Sequence, residues 1–162
     1  MNDDQAFDPE AILAVLNAQA VEYVVVGGLA VAAHGVVRAT ADLDLVVRAE
    51  WDNAASLATA LTELGARDLD DSPSAMSRES LVRRVDRRLR TNHGDVHLLH
   101  EVEGVPRYED LMPAAVFELA GLRVPVAQLA DLKAMKRASG RAKDEVDLTE
   151  LDALGEPGGS EG

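Results

Sequence analysis

The stretch VVVGGLAVAAHGVVRATADLDLVV, residues 24–47, restricts the fold of this chain more than any other. Tyr23 to Val26 is a short run rich in β-branched residues, stopped by Gly27 and Gly28, which is the pattern of a buried strand ending in a tight turn. Leu29 to His34 reads as a short helix. Leu43 to Val47, preceded by Asp42 and interrupted by Asp44, is the next apolar run and predicts a second strand. Glycines at a strand-to-helix turn let an anion approach the backbone, where exposed N–H groups and the helix dipole favour negative charge. Asp42 and Asp44, two apart on a strand, point to one face, so their carboxylates can share divalent cations. An anion cradle and a cation clamp would then face each other, as a metal-bound triphosphate requires.

The flanking sequence extends this unit into one α/β domain. Asp8, Pro9 and Glu10 read as an N-cap, a first-turn proline and an acid suited to the helix dipole, and they open a helix to about Ala18. Asp52 to Leu64 has amphipathic helical spacing, and Asp68 to Ser80 is polar and without period, which predicts a loop beside the site. Leu81 to Thr91 and Val96 to Leu99 flank Asn92, His93 and Gly94, a short connection that predicts a hairpin. Leu122 to Val126 is expected to be a last edge strand, with Pro125 where a lost N–H is tolerated. Val126 to Ser139 and Arg141 to Leu154 are expected to be helices separated by Gly140. Residues 1–154 should form a single domain and 155–162 an unstructured tail.

Composition removes several function classes. The 162 residues contain no cysteine, which excludes disulfides, thiolate zinc sites and cysteine nucleophiles, and leaves carboxylates and four histidines as metal ligands. A metal should therefore be hard and oxygen-bound, Mg2+ above all. A formal net charge of −13 opposes nonspecific binding to phosphate backbones. The acidic N-terminus lacks the features of a secretory signal, so a cytoplasmic location is expected.

Val26, Gly27 and Gly28, then thirteen residues, then Asp42, Leu43, Asp44 and Leu45 resemble the signature of the polymerase-β-type nucleotidyltransferase superfamily. The chain is more specifically similar to small bacterial nucleotidyltransferase domains related to type IV toxin–antitoxin toxins and to minimal nucleotidyltransferases. The likeness continues through Arg38 and Thr40 and into LADLKAMKRASGRAKDEVDLTEL near the C-terminus. It implies a nucleotidyltransferase-like mixed, twisted sheet with flanking helices. It also implies transfer of a nucleoside monophosphate from an NTP to an RNA hydroxyl, as at a tRNA end, or to a protein hydroxyl, with a toxin–antitoxin partner as a further expectation. By match, Gly27 and Gly28 would hold the triphosphate, Asp42 and Asp44 the magnesium ions, and Lys136 the nucleotide phosphates. Arg38, Thr40 and Arg141 join them as nucleotide-site residues, and Lys143 and Asp144 complete the second motif.

One departure concerns catalysis. The family pattern Gly-x-x-Asp-Leu-Leu supplies a third carboxylate, whereas this chain reads Gly94, Asp95, Val96, His97, Leu98, Leu99, with His97 where the aspartate is expected. Asp95 lies two residues earlier and so on the same strand face; it can supply the carboxylate, or His97 can act as a general base near neutral pH. The alternative is a weakened nucleotide- or partner-binding module. His34 is expected to cap its helix, and His93, His97 and His100 do not have the spacing to converge on one metal. The arginines of SLVRRVDRRLR are either a solvated strand edge or a patch that binds the acceptor.

Overall fold

The computed structural model describes residues 6–70, 76–100, 106–140 and 142–154. Its elements, in chain order, are α1 (Pro9–Ala18), β1 (Tyr23–Val26), α2 (Gly27–Ala33), β2 (Asp42–Val47), α3 (Trp51–Glu63), β3 (Arg67–Asp68), α4 (Arg78–Leu81), β4 (Arg87–Thr91), β5 (Gly94–Leu98), a 3₁₀ turn (Tyr108–Leu111), β6 (Ala115–Leu119), β7 (Leu122–Val126), α5 (Leu129–Ser139) and α6 (Ala142–Leu154). The seven strands form one mixed sheet in the order β3-β4-β5-β2-β1-β7-β6, flanked by helices as expected. Among the described residues no helix is long and apolar enough to cross a membrane.

Local chemistry explains the first elements. The Asp8 carboxylate accepts the Ala11 N–H at 3.1 Å, so α1 starts with one orphan donor satisfied and Pro9 in its first turn. β1 is buried along its whole length, as Tyr-Val-Val-Val in a central strand should be. It pairs antiparallel with β2, Val25 opposite Leu45 and Val26 opposite Asp44. The Tyr23 hydroxyl donates to Asn17 Oδ1 of α1 at 2.7 Å, so Tyr23, Val25 and their partners Val47 and Leu45 face α1, which also packs on α3. Asp44 and Asp42 therefore lie on the opposite face, the one that carries α2; α5 packs on α2 and α6 on α5. Burial of Tyr23 pushes its phenol far above the usual range and keeps it a neutral donor.

The β1–β2 ribbon is tied at its far end by Asn53 of α3, which is 4% exposed. Its side-chain amide donates to the carbonyls of Glu22 and Arg48 at 2.9 and 2.8 Å and its oxygen accepts the Glu22 N–H at 2.7 Å. Asn53→Ala leaves the Glu22 N–H without its acceptor and takes one donor each from the Glu22 and Arg48 carbonyls, which keep the Arg48 and Glu50 N–H groups. It should lower unfolding stability by about 2 kcal/mol in a denaturant titration; a loss below about 1 kcal/mol would show that water replaces the amide.

Four expectations are corrected. β7 is not an edge strand: β6, unrecognised in the sequence, lies outside it, and β7 joins β1 in parallel at Val25–Val126. Pro125 is tolerated because that parallel pair forms one residue past it, while Val116 of β6 lies opposite the proline. The strand expected from Leu81 begins only at Arg87, since Leu81 ends α4, a short helix capped by Ser77 inside the stretch read as a loop. α5 starts at Leu129, after Val126 has completed the sheet. The tail expected at 155–162 lies outside the described residues, as do 71–75 of the polar stretch.

Candidate active site

Gly27 opens α2 directly from the end of β1, with φ at +72°. A side chain there would be strained by the backbone alone, and an ideal Cβ would overlap the Asp44 carboxylate. The aspartate thus sits against the glycine turn because Val26 and Asp44 are ladder partners. A Cβ on Gly28 would come within 2.8 Å of the Thr40 methyl and 3.3 Å of Arg38 Nε. The structure therefore brings Gly27, Gly28, Arg38, Thr40 and Asp44 together around the start of α2. Backbone N–H groups at that helix start, a guanidinium and a hydroxyl beside a carboxylate form a polar corner suited to a phosphate chain with its cation.

Across β2, the parallel β5 places Asp95 opposite Asp42 and His97 opposite Asp44. Directly opposed residues share a face, so all four expected catalytic residues lie on one side of the sheet. His97 Nδ1 is 3.7 Å from Asp44 Oδ1, an electrostatic neighbour beyond hydrogen-bond range. Asp95 is differently occupied. Arg90 of β4 grips it with Nε and a terminal nitrogen at 2.9 and 3.3 Å. The carboxylate that could have stood in for the missing one is thus the acceptor half of a bidentate pair.

Among the described residues no three His, Asp or Glu side chains are grouped as a metal cage. The pair Asp42 and Asp44 still fits magnesium, which is commonly held by one or two carboxylates with substrate phosphates and water completing its shell. A site of that kind needs the nucleotide to bring part of its coordination.

The C-terminal cations separate. Lys133 pairs with Asp152 of α6 at 3.2 Å, and Arg137 approaches the same carboxylate at 3.7 Å. Lys136, by contrast, is 8% exposed, on the helix that packs against α2. Arg141 lies outside the described residues. His34 does occupy the C-cap of α2, but its ring is turned to the Ala127 carbonyl at 2.9 Å and edge-on to Phe117 rather than to its own helix end.

Arg88 and Arg90 on the site face were legible only as members of an arginine run. Their positions follow from the hairpin register, in which Arg88 lies opposite His97 and Arg90 opposite Asp95. Period-two alternation through Arg88-Leu89-Arg90 is the signal that could have singled them out.

The fold has counterparts among solved structures. A candidate nucleotidyltransferase from Thermotoga maritima matches 94% of this chain and 99% of its own, at 18% identity and a TM-score of 0.56. The antibiotic-resistance factor ANT(2'')-Ia, in a complex with adenylyl-2''-tobramycin, matches 91% of this chain and 97% of its own at 14% identity, with a TM-score of 0.48. No curated protein sequence matches. The family model described as aminoglycoside-2''-adenylyltransferase matches residues 10–154, nearly the whole described structure, and the chain, with its nucleotidyltransferase fold, belongs to that family.

Proposed function

We propose that this protein transfers a nucleoside monophosphate from an NTP to an acceptor hydroxyl, with Mg2+ as cofactor. Family membership supports nucleotidyltransferase activity. The observation that carries the reading is the contact of the Asp44 carboxylate with the Gly27 turn, beside Arg38 and Thr40. Gly27 and Gly28 would present backbone N–H groups to the triphosphate, Arg38 and Lys136 would offset its charge, and Thr40 would fix its position. Asp42 and Asp44 would hold the magnesium, which when bound supplies Lewis-acid polarisation of the phosphates and offsets charge on the leaving pyrophosphate. The new bond joins the acceptor oxygen to the α-phosphorus, and the bond to the pyrophosphate oxygen breaks. With Nδ1 of His97 turned toward Asp44, Nε2 is the nitrogen that takes the acceptor proton.

The acceptor stays an RNA hydroxyl, as at a tRNA end, or a protein hydroxyl, to which the family name adds the hydroxyl of an aminoglycoside. A cytoplasmic protein of one domain, paired with a toxin–antitoxin partner, completes the reading. A second reading, a weakened nucleotide- or partner-binding module, is favoured by the Arg90–Asp95 pair, which occupies the carboxylate that could have replaced the missing one.

The test requires no acceptor. Titrating the four NTPs by calorimetry, with and without Mg2+, should show magnesium-dependent binding to wild type that weakens about tenfold or more in Asp42→Asn/Asp44→Asn. Failure of every NTP to bind, or equal binding by the double variant, would overturn the assignment.

A further inference from the structure

β2 and β5 carry three carboxylates on the open face of the sheet, and the strand register sorts them. Asp42 and Asp44 stand on β2, and Asp95 of β5 lies opposite Asp42. On its other side Asp95 is opposite Arg90 of β4. Flanked by a carboxylate and a guanidinium, Asp95 turns to the guanidinium: Oδ1 accepts from Nε at 2.9 Å and Oδ2 from a terminal nitrogen at 3.3 Å. Both of its oxygens are used. A two-pronged pair of this kind is stronger than a single-contact one, and because both side chains are partly buried, water screens it less than an open surface pair. In the next row Asp44 lies opposite His97, which brings no negative charge in either protonation state.

This sorting bears on how many cations the site takes, and the inference rests on the nucleotidyltransferase reading. Sites that use a pair of metal ions on phosphates hold them about 3.5–4 Å apart. Two dications at that distance repel with four times the energy of two unit charges, so they stay together only among carboxylates that supply compensating charge and lone pairs. Asp42 and Asp44 offset one dication in full, and the triphosphate would complete its shell at the glycine turn against which Asp44 sits. A second dication would need the charge of Asp95, which the guanidinium already neutralises, or that of a carboxylate at position 97, where the chain has histidine. Arg90 is itself a permanent cation in the row of Asp42 and Asp95, fixed there by the chain. We infer that the site takes one divalent cation with its nucleotide, on Asp42 and Asp44, and that Arg90 keeps the number at one by withholding Asp95.

The test counts Mn2+, a paramagnetic substitute for Mg2+, on the full chain saturated with the α,β-methylene analogue of whichever of the four NTPs binds. Electron paramagnetic resonance reads both the number bound and whether two ions are close enough to couple. Wild type should hold one Mn2+ per bound analogue, with the spectrum of an isolated ion. Asp95→Asn should keep that number and an affinity within about twofold of wild type, because Asp95 is not a ligand. Arg90→Met, which keeps the apolar stem and removes the guanidinium, should take up a second Mn2+ and show the spectrum of a coupled pair, and Arg90→Met/Asp95→Asn should return to one. A second ion in wild type overturns the inference, as does a loss of about tenfold or more in Mn2+ affinity in Asp95→Asn. A single ion in Arg90→Met, with analogue binding retained, overturns the role given to Arg90. Should Arg90→Met fail to fold, the wild-type count and Asp95→Asn still decide whether Asp95 serves a metal. Failure of every analogue to bind wild type would instead bring down the nucleotidyltransferase reading.

Discussion

Gly27→Ala should abolish nucleotide binding and lower the thermal midpoint by about 5–10 °C, because it violates two constraints at once. A φ of +72° costs an L-residue about 1–2 kcal/mol, and the new methyl must also displace the Asp44 carboxylate. Gly121→Ala is the internal control. Its φ is +81°, but a Cβ there meets nothing within 4 Å, so it should lose only the backbone term and leave nucleotide affinity intact. Thermal melts and NTP titrations of the pair separate strain from the contact. Equal behaviour of the two variants would mean that the aspartate does not depend on the glycine turn for its position.

The second large effect falls on His97. If Nε2 takes the acceptor proton, His97→Asp should cut kcat by about 10²- to 10⁴-fold, the usual contribution of a positioned general base, with NTP affinity retained. The expected loss has a structural reason beyond the imidazole itself. A carboxylate at that position would be a like-charge neighbour of Asp44, opposite it in the ladder, and Arg90 is already committed to Asp95. Single-turnover transfer assays with saturating NTP read the effect. A large gain in turnover would show instead that the histidine is a degraded metal position and would support the weakened binding module.

The β1–α2–β2 unit was legible in the sequence because its information is local. Four residues rich in β-branched side chains, a pair of glycines and a two-residue alternation of aspartates each act over a few positions, so period and turn chemistry suffice to locate them. The same holds for α1, with its Asp-Pro start, and for the break at Gly140, which takes the left-handed conformation at the end of α5. β6 was missed because Ala-Val-Phe-Glu-Leu carries too short an alternation to tell from a helix turn, and nothing nearby in the chain states that β7 will need a partner on its outer side.

The face on which Asp42 and Asp44 lie together and the glycine turn could be argued from the sequence, since strand alternation and residue identity are properties of the chain alone, and the histidine at position 97 stood out only against the pattern of the family the chain resembles. Which side chain neighbours which across the sheet could not. That Asp95 belongs to Arg90 and that His97 stands beside Asp44 both depend on ladder register. Register is set by the packing of residues far apart in the chain, and a slip of one position would turn every one of these side chains to the other face.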